Sequence, residues 1–173
     1  SDRRLTNPDG STVHDESKKS VLLTCADARL AIGYTGLARW GPFDTRKWLI
    51  RSLYECARPD RTAQGILQRF ALRATDRFHR LGLTRASKRL TVMVVGYSYR
   101  FRPPRGLLTV ISNFENLDSG SSDSEAWDQF RCFHRAEPFL SSGNAPLFFA
   151  VGMLPPFPAS DYTRVIELLQ ARN

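Results

Sequence analysis

SDRRLTNPDGSTVHDESKKSVLLTCADARLAIGYTG, residues 1–36, is the stretch on which the fold turns. Asp2-Arg3-Arg4 opens it as the end of a strand entering a turn. Asn7-Pro8-Asp9-Gly10 supplies the turn, because Pro fixes φ and Gly accepts positive φ. After Lys18-Lys19, the apolar runs Val21–Thr24 and Leu30–Tyr34 flank Cys25–Arg29, which contains Asp27, and together they read as a hairpin. Gly33-Tyr34-Thr35-Gly36 closes the stretch, and residues 36–41 read as a loop.

Working outward, Asp44 is placed to cap a helix, with Trp48, Leu49, Leu53, Cys56 and Ala57 at helical spacing and Pro59 beyond its end. A second helix starts near Thr62. Ala63, Ile66, Leu67, Phe70, Ala71, Ala74, Phe78 and Leu81 form its apolar stripe, Gln68, Arg69, Arg73 and Arg77 lie on its wet face, and Gly82 ends it. Leu90–Tyr99 reads as a strand buried on both faces, Arg100–Arg105 as a Pro-broken loop, and Leu107–Phe114 as the antiparallel return strand. Leu117–Glu125 is a polar loop. Alternation through Phe130, Cys132 and His134 predicts a strand over Trp127–His134, and Leu147–Met153 reads as a further buried strand. Ser160 caps a final helix with Tyr162, Val165, Ile166 and Leu169 on its apolar face. Two adjacent helices between groups of antiparallel strands give an α+β class, with sheets covered by helices, in one domain over residues 1–173.

Composition narrows the function classes. A chain of 173 residues with 42% hydrophobic and 24% charged residues suits a globular domain. It has no apolar run of membrane-spanning length. Cys25, Cys56 and Cys132 are widely spaced and His14, His79 and His134 are scattered, so reduced thiols in a cytoplasmic protein are expected, with no metal and no cofactor. The net charge of +8 is compatible with nucleic-acid binding, and aromatic and Arg residues interleave over Tyr97-Ser98-Tyr99-Arg100-Phe101-Arg102. The arginines are nevertheless spread along the whole chain without a nucleic-acid-binding motif, so solvated helix faces are the expectation. His14-Asp15 reads as a turn pair. Cys25 reads as a small core residue, and Trp40 as a packing residue able to line a pocket.

The element order, together with residues 1–6, Lys18-Lys19 and Gly33–Gly36, resembles the N-terminal nucleophile hydrolases of proteasome β-subunit type. It is most similar to small bacterial proteasome-like proteins. The resemblance implies an αββα sandwich, two antiparallel sheets between helix layers, and hydrolysis of an amide or peptide bond by an N-terminal Thr. Asp2-Arg3-Arg4 matches the family's Asp-x-Arg, Lys18 lies at the family's separation from Asp2, and Gly36 matches the glycine after the hairpin.

The implied roles follow from the chemistry. A Thr hydroxyl needs a base, which the chain's own α-amine supplies. Lys18, held by Asp2, stabilises the developing alkoxide, Arg4 supports Asp2, and the Gly36 N–H serves the oxyanion. A peptide or amide substrate and further copies of the chain are the implied partners. The match puts the first strand and the nucleophile ahead of Ser1 and further elements beyond Asn173. It puts Met153 where the family has a serine. A non-catalytic relative that keeps the fold as an assembly or binding module is the second reading, and a basic nucleic-acid-binding domain the third.

Overall fold

The computed structural model describes residues 5–6, 12–14, 20–116 and 121–137. Asp2, Arg4, Asp15, Lys18 and Lys19, the strand expected over Leu147–Met153 and the helix expected after Ser160 lie outside the described residues.

The chain runs β1 (Leu5–Thr6), β2 (Thr12–His14), β3 (Ser20–Thr24), β4 (Ala28–Gly36), β5 (Arg39–Trp40), β6 (Phe43–Asp44), α1 (Thr45–Cys56), α2 (Ala63–His79), β7 (Leu90–Ser98), β8 (Arg105–Ser112), β9 (Glu115–Asn116), β10 (Ser121–Ser122) and β11 (Arg131–Glu137). Among these, β11-β8-β7-β4-β3 form an antiparallel sheet in that order. The protein is thus α+β, with two helices and a mainly antiparallel sheet among the described residues.

The β3–β4 hairpin forms as its composition predicts, and β4 extends in both directions beyond the apolar run. Its turn is closed by the Cys25 amide donating to the Ala28 carbonyl at 2.9 Å. Asp27 in that turn works at long range. Its Oδ1 accepts the Ala63 amide at 2.7 Å, and so satisfies a donor in the first turn of α2. Its carbonyl accepts the Tyr99 amide at 2.7 Å, which carries the β4–β7 pairing one residue past the end of β7 at Ser98.

The first helix starts on its expected cap, Asp44, and the second starts where expected, on a Thr62 cap. Asp44 Oδ1 accepts the Lys47 amide at 3.0 Å, and Thr62 Oγ1 accepts the Gly65 amide at 3.3 Å. Burial alone would raise the Asp44 carboxyl. The Lys47 amide and the Arg39 guanidinium outweigh it and hold the group below its ordinary value. The second helix stops at His79, with Arg80 as its cap, so Gly82 is not the stop signal that its identity suggested. The left-handed glycines among the described residues are Gly36 and Gly41.

The helices cover one face of the sheet. Ala28, Leu30, Ile32 and Tyr34 of β4 alternate into the core with Leu90, Val92 and Val94 of β7 and Ile111 of β8. Leu49, Leu53 and Cys56 of α1 and Ile66, Leu67, Phe70, Ala71, Ala74 and Phe78 of α2 pack onto them. Five aromatic rings link the layers. Phe43, Trp48, Phe70, Phe78 and Phe130 meet with centroids 5.1–5.9 Å apart. Trp48 therefore packs the core, whereas Trp40 is exposed.

The burial of β7 and the boundaries of β8 and β11 differ from expectation. Full burial of β7 holds only in its first half, because Val95 and Tyr97 are 40% and 46% exposed. At the end of β8, Ser112 Oγ accepts the amides of Phe114 and Glu115 and turns the chain before the strand can continue. Ahead of β11, the Trp127 amide donates to Asn113 O and the Phe130 amide to Thr75 Oγ1. The ladder therefore begins at Arg131, not at Trp127.

Candidate functional site

Gly36 is the one expected site residue within the described region, and its surroundings can be built from the backbone outward. It ends β4 opposite Leu90 with φ of 98°. A Cβ there would overlap the carbonyl oxygen of Arg89. That carbonyl also accepts the Leu37 amide at 2.8 Å. Glycine is thus demanded twice, by its left-handed φ and by the close approach of the neighbouring strand. The next turn of chain leads into α1, where Thr45 Oγ1 donates to Leu37 O at 2.5 Å.

The strand opposite Gly36 is anchored by Asn113. Its Oδ1 accepts the Leu90 amide at 2.8 Å, and its Nδ2 donates to Lys88 O at 3.0 Å. One residue further along lies a buried polar group that the sequence reading missed. Thr91 stands across from Thr35 on one side and Ser112 on the other, on the sheet face away from the helices. Thr91 Oγ1 donates to Glu115 Oε2 at 2.6 Å and lies 2.7 Å from Ser112 Oγ. With the Thr91 proton on Glu115, Ser112 must donate to Thr91, while its own oxygen accepts two amides. The result is a hydroxyl relay ending on a carboxylate, one strand from Gly36, in which Thr91 and Ser112 are fully buried and Glu115 nearly so. No short motif announces it; only the register aligns these residues.

The remaining candidates resolve into structural roles. Arg69 Nε donates to Cys56 O at 2.9 Å and Nη2 to Asp60 O at 2.7 Å, so Arg69 ties the α1–α2 loop and is not simply solvated. Arg73 pairs with Glu55, and Arg77 lies over the Phe43 ring. Cys25 is buried among the core side chains, which fits a core residue, and burial first, then the nearby Asp27 charge, push its thiol up to about 11. An open depression of about 660 Å³ is lined by Arg85, Asp123, Glu125, Trp127, Asp128 and Arg131. Within it Arg85 bonds Asp128 at 2.8 Å and Arg131 lies over the Trp127 ring. No group of three or more His, Cys, Asp or Glu residues with metal-binding geometry occurs among the described residues. No described helix is long and apolar enough to cross a membrane.

No protein-family model, curated protein or solved structure matches the chain.

Proposed function

We propose that the chain is a proteasome-like N-terminal nucleophile hydrolase domain, cleaving amide or peptide bonds at the Gly36 end of its sheet. The observation that carries this reading is the path of the chain through that end. An antiparallel hairpin finishes on a left-handed glycine and passes directly into two helices that cover one face of the sheet. The other face supports the finer αββα architecture, because it presents apolar side chains away from the helices: Leu22 is 85% exposed, with Val95 and Tyr97 beside it. In a two-sheet sandwich this face meets the second sheet.

Within this proposal Lys18 stabilises the alkoxide, Asp2 and Arg4 hold Lys18 in place, and the Gly36 N–H donates to the oxyanion. The nucleophile is an N-terminal Thr on a strand ahead of Ser1. Free thiols support a cytoplasmic setting. Exposed Ile50, Tyr54 and Leu72 on the helix layer support assembly with further copies of the chain.

The packing requirement at Gly36 favours a second reading, a non-catalytic module of the same fold, since it explains the glycine without substrate. Nucleic-acid binding ranks third. Four helix-layer arginines, Arg51, Arg69, Arg73 and Arg80, are paired with Glu55, Asp60 or Asp76, which lowers the charge offered to phosphates.

The test is to express the native gene product and treat it with a peptide bearing a terminal electrophile. Hydrolase function predicts a mass gain on the processed N-terminal residue, and a loss of about 10²-fold or more in acylation rate for Lys18→Ala. An unmodified N-terminus, with the Lys18→Ala protein indistinguishable from the parent, overturns catalysis in favour of the module.

A further inference from the structure

On the helix side of the sheet, at its β11 edge, a thiol, an imidazole and a hydroxyl are in contact. Cys132 and His134 are two apart on one strand, so both side chains leave the same face. Thr109 is the cross-strand partner of His134. Cys132 Sγ lies 3.2 Å from His134 Nε2, and Thr109 Oγ1 lies 2.9 Å from Nδ1. Thr109 is fully buried, Cys132 half-buried and His134 exposed, so the group opens outward from a fixed base. Cys25 and Cys56, in contrast, are buried in the core. The group also lies on the opposite face from Thr91, Ser112 and Glu115, and so belongs to a different site from the one around Gly36.

The protons can be assigned. Burial pushes the Cys132 thiol up to about 11, and the partial burial of the His134 ring on its Thr109 side pushes the imidazole down, so the pair rests neutral. Sγ–H then donates to Nε2, and Nδ1–H donates to Thr109 Oγ1. A thiol facing the free nitrogen of an imidazole, whose other nitrogen is held by a third group, has the geometry of a nucleophile with its general base.

We propose that Cys132 is a covalent modification site for small neutral disulfides, with His134 as the base that takes its proton and Thr109 as the residue that positions the ring. Sγ attacks one sulfur of the disulfide. The new S–S bond forms as the old one breaks, and the thiol proton passes to His134 Nε2. The departing thiolate then takes that proton and leaves as a free thiol. Cys132 is oxidised to a mixed disulfide, and the leaving half of the reagent is reduced, so no other oxidant enters.

The experiment treats the full protein at neutral pH with dithiodipyridine, follows thiopyridone release by absorbance, and locates the modification by peptide mass. One equivalent is expected on Cys132, faster than on Cys25 or Cys56, and Cys132→Ser removes it. His134→Gln slows it by about tenfold or more, the low end expected for loss of a general base. Thr109→Val slows it less, and Thr109→Ser, which keeps the hydroxyl, restores it. Unchanged circular dichroism and unchanged labelling of Cys25 and Cys56 separate loss of the base from loss of the fold. If Thr109→Val does not fold, the exposed His134 carries the test alone. Equal rates for wild type and His134→Gln, or labelling of Cys25 and Cys56 as fast as Cys132, overturn the proposal.

Discussion

The two faces of the five-stranded sheet are made from the same strands, yet they are buried in different ways. On the helix side, Leu30, Ile32, Leu90, Val92 and Val94 are buried under α1 and α2, and five aromatic rings bridge the layers. On the other side, burial is graded along the strands. It is complete at the Gly36 end, at Thr91, Val110 and Ser112, and lapses toward the β3–β4 turn, at Leu22, Val95 and Tyr97. The helix face is a finished core. The far face combines a buried polar relay at one end with exposed apolar side chains at the other.

Hollowing the finished face is expected to have the largest effect. Phe70 is fully buried between Trp48 and the sheet layer, and Phe70→Ala is expected to destabilise the fold by about 3–5 kcal/mol in denaturant titration. Gly36→Ala comes next. It places a Cβ against the Arg89 carbonyl at a left-handed φ, for an expected loss of about 1–3 kcal/mol, read as a lower melting temperature. Asp27→Ala removes the acceptor for the Ala63 amide and is expected to cost about 1 kcal/mol, the ordinary value of a helix cap. If Asp27→Ala proved neutral, the turn-to-helix clamp would be incidental.

The smallest effect concerns pH. The His134 pKa is lowered by burial, so at pH just below the ordinary histidine range the unfolded chain binds a proton that the folded chain refuses. Stability therefore falls as pH drops from that range toward the lowered folded value, and levels off below it. His134→Gln should flatten this portion of the curve. Asp44 acts at more acid pH with the same sign. Its folded pKa is depressed, so its stabilisation is present above the ordinary carboxylate value and is lost as pH falls through the folded one. Asp44→Asn should remove that lower step and leave the upper one.

Much of the finished face was legible in the residues. The stripe from Ala63 to Phe78, the cap Asp44, the start of α2 near Thr62 and the β3–β4 hairpin each carry a local signal of period, cap or turn chemistry, and each is present. The far face was less legible, because its features depend on register. Thr91 bonds Ser112 and Glu115, which lie 21 and 24 residues further along the chain. The Asp27 contact with Ala63 spans 36 residues. Arg69 looked like a wet helix position, yet its guanidinium reaches back to carbonyls at the end of α1 and in the loop. Gly82 misled because a glycine after a helix reads as a left-handed cap, whereas α2 had already ended on Arg80. Of the candidate site, Gly36 was found through a resemblance. Its packing reason, the Arg89 carbonyl, emerged only from strand pairing.

The proposed sandwich requires the far face to be an interior surface between two layers. Hydroxyl-radical footprinting of the native gene product measures this without mutation. Leu22, Met93 and Tyr97 report on the far face, and Tyr54 and Leu72 on the outside of the helix layer. A second sheet over the far face predicts oxidation of Leu22, Met93 and Tyr97 several-fold slower than that of Tyr54 and Leu72, after correction for side-chain reactivity. Equal oxidation of the two sets would contradict the sandwich, and with it the hydrolase reading built on it.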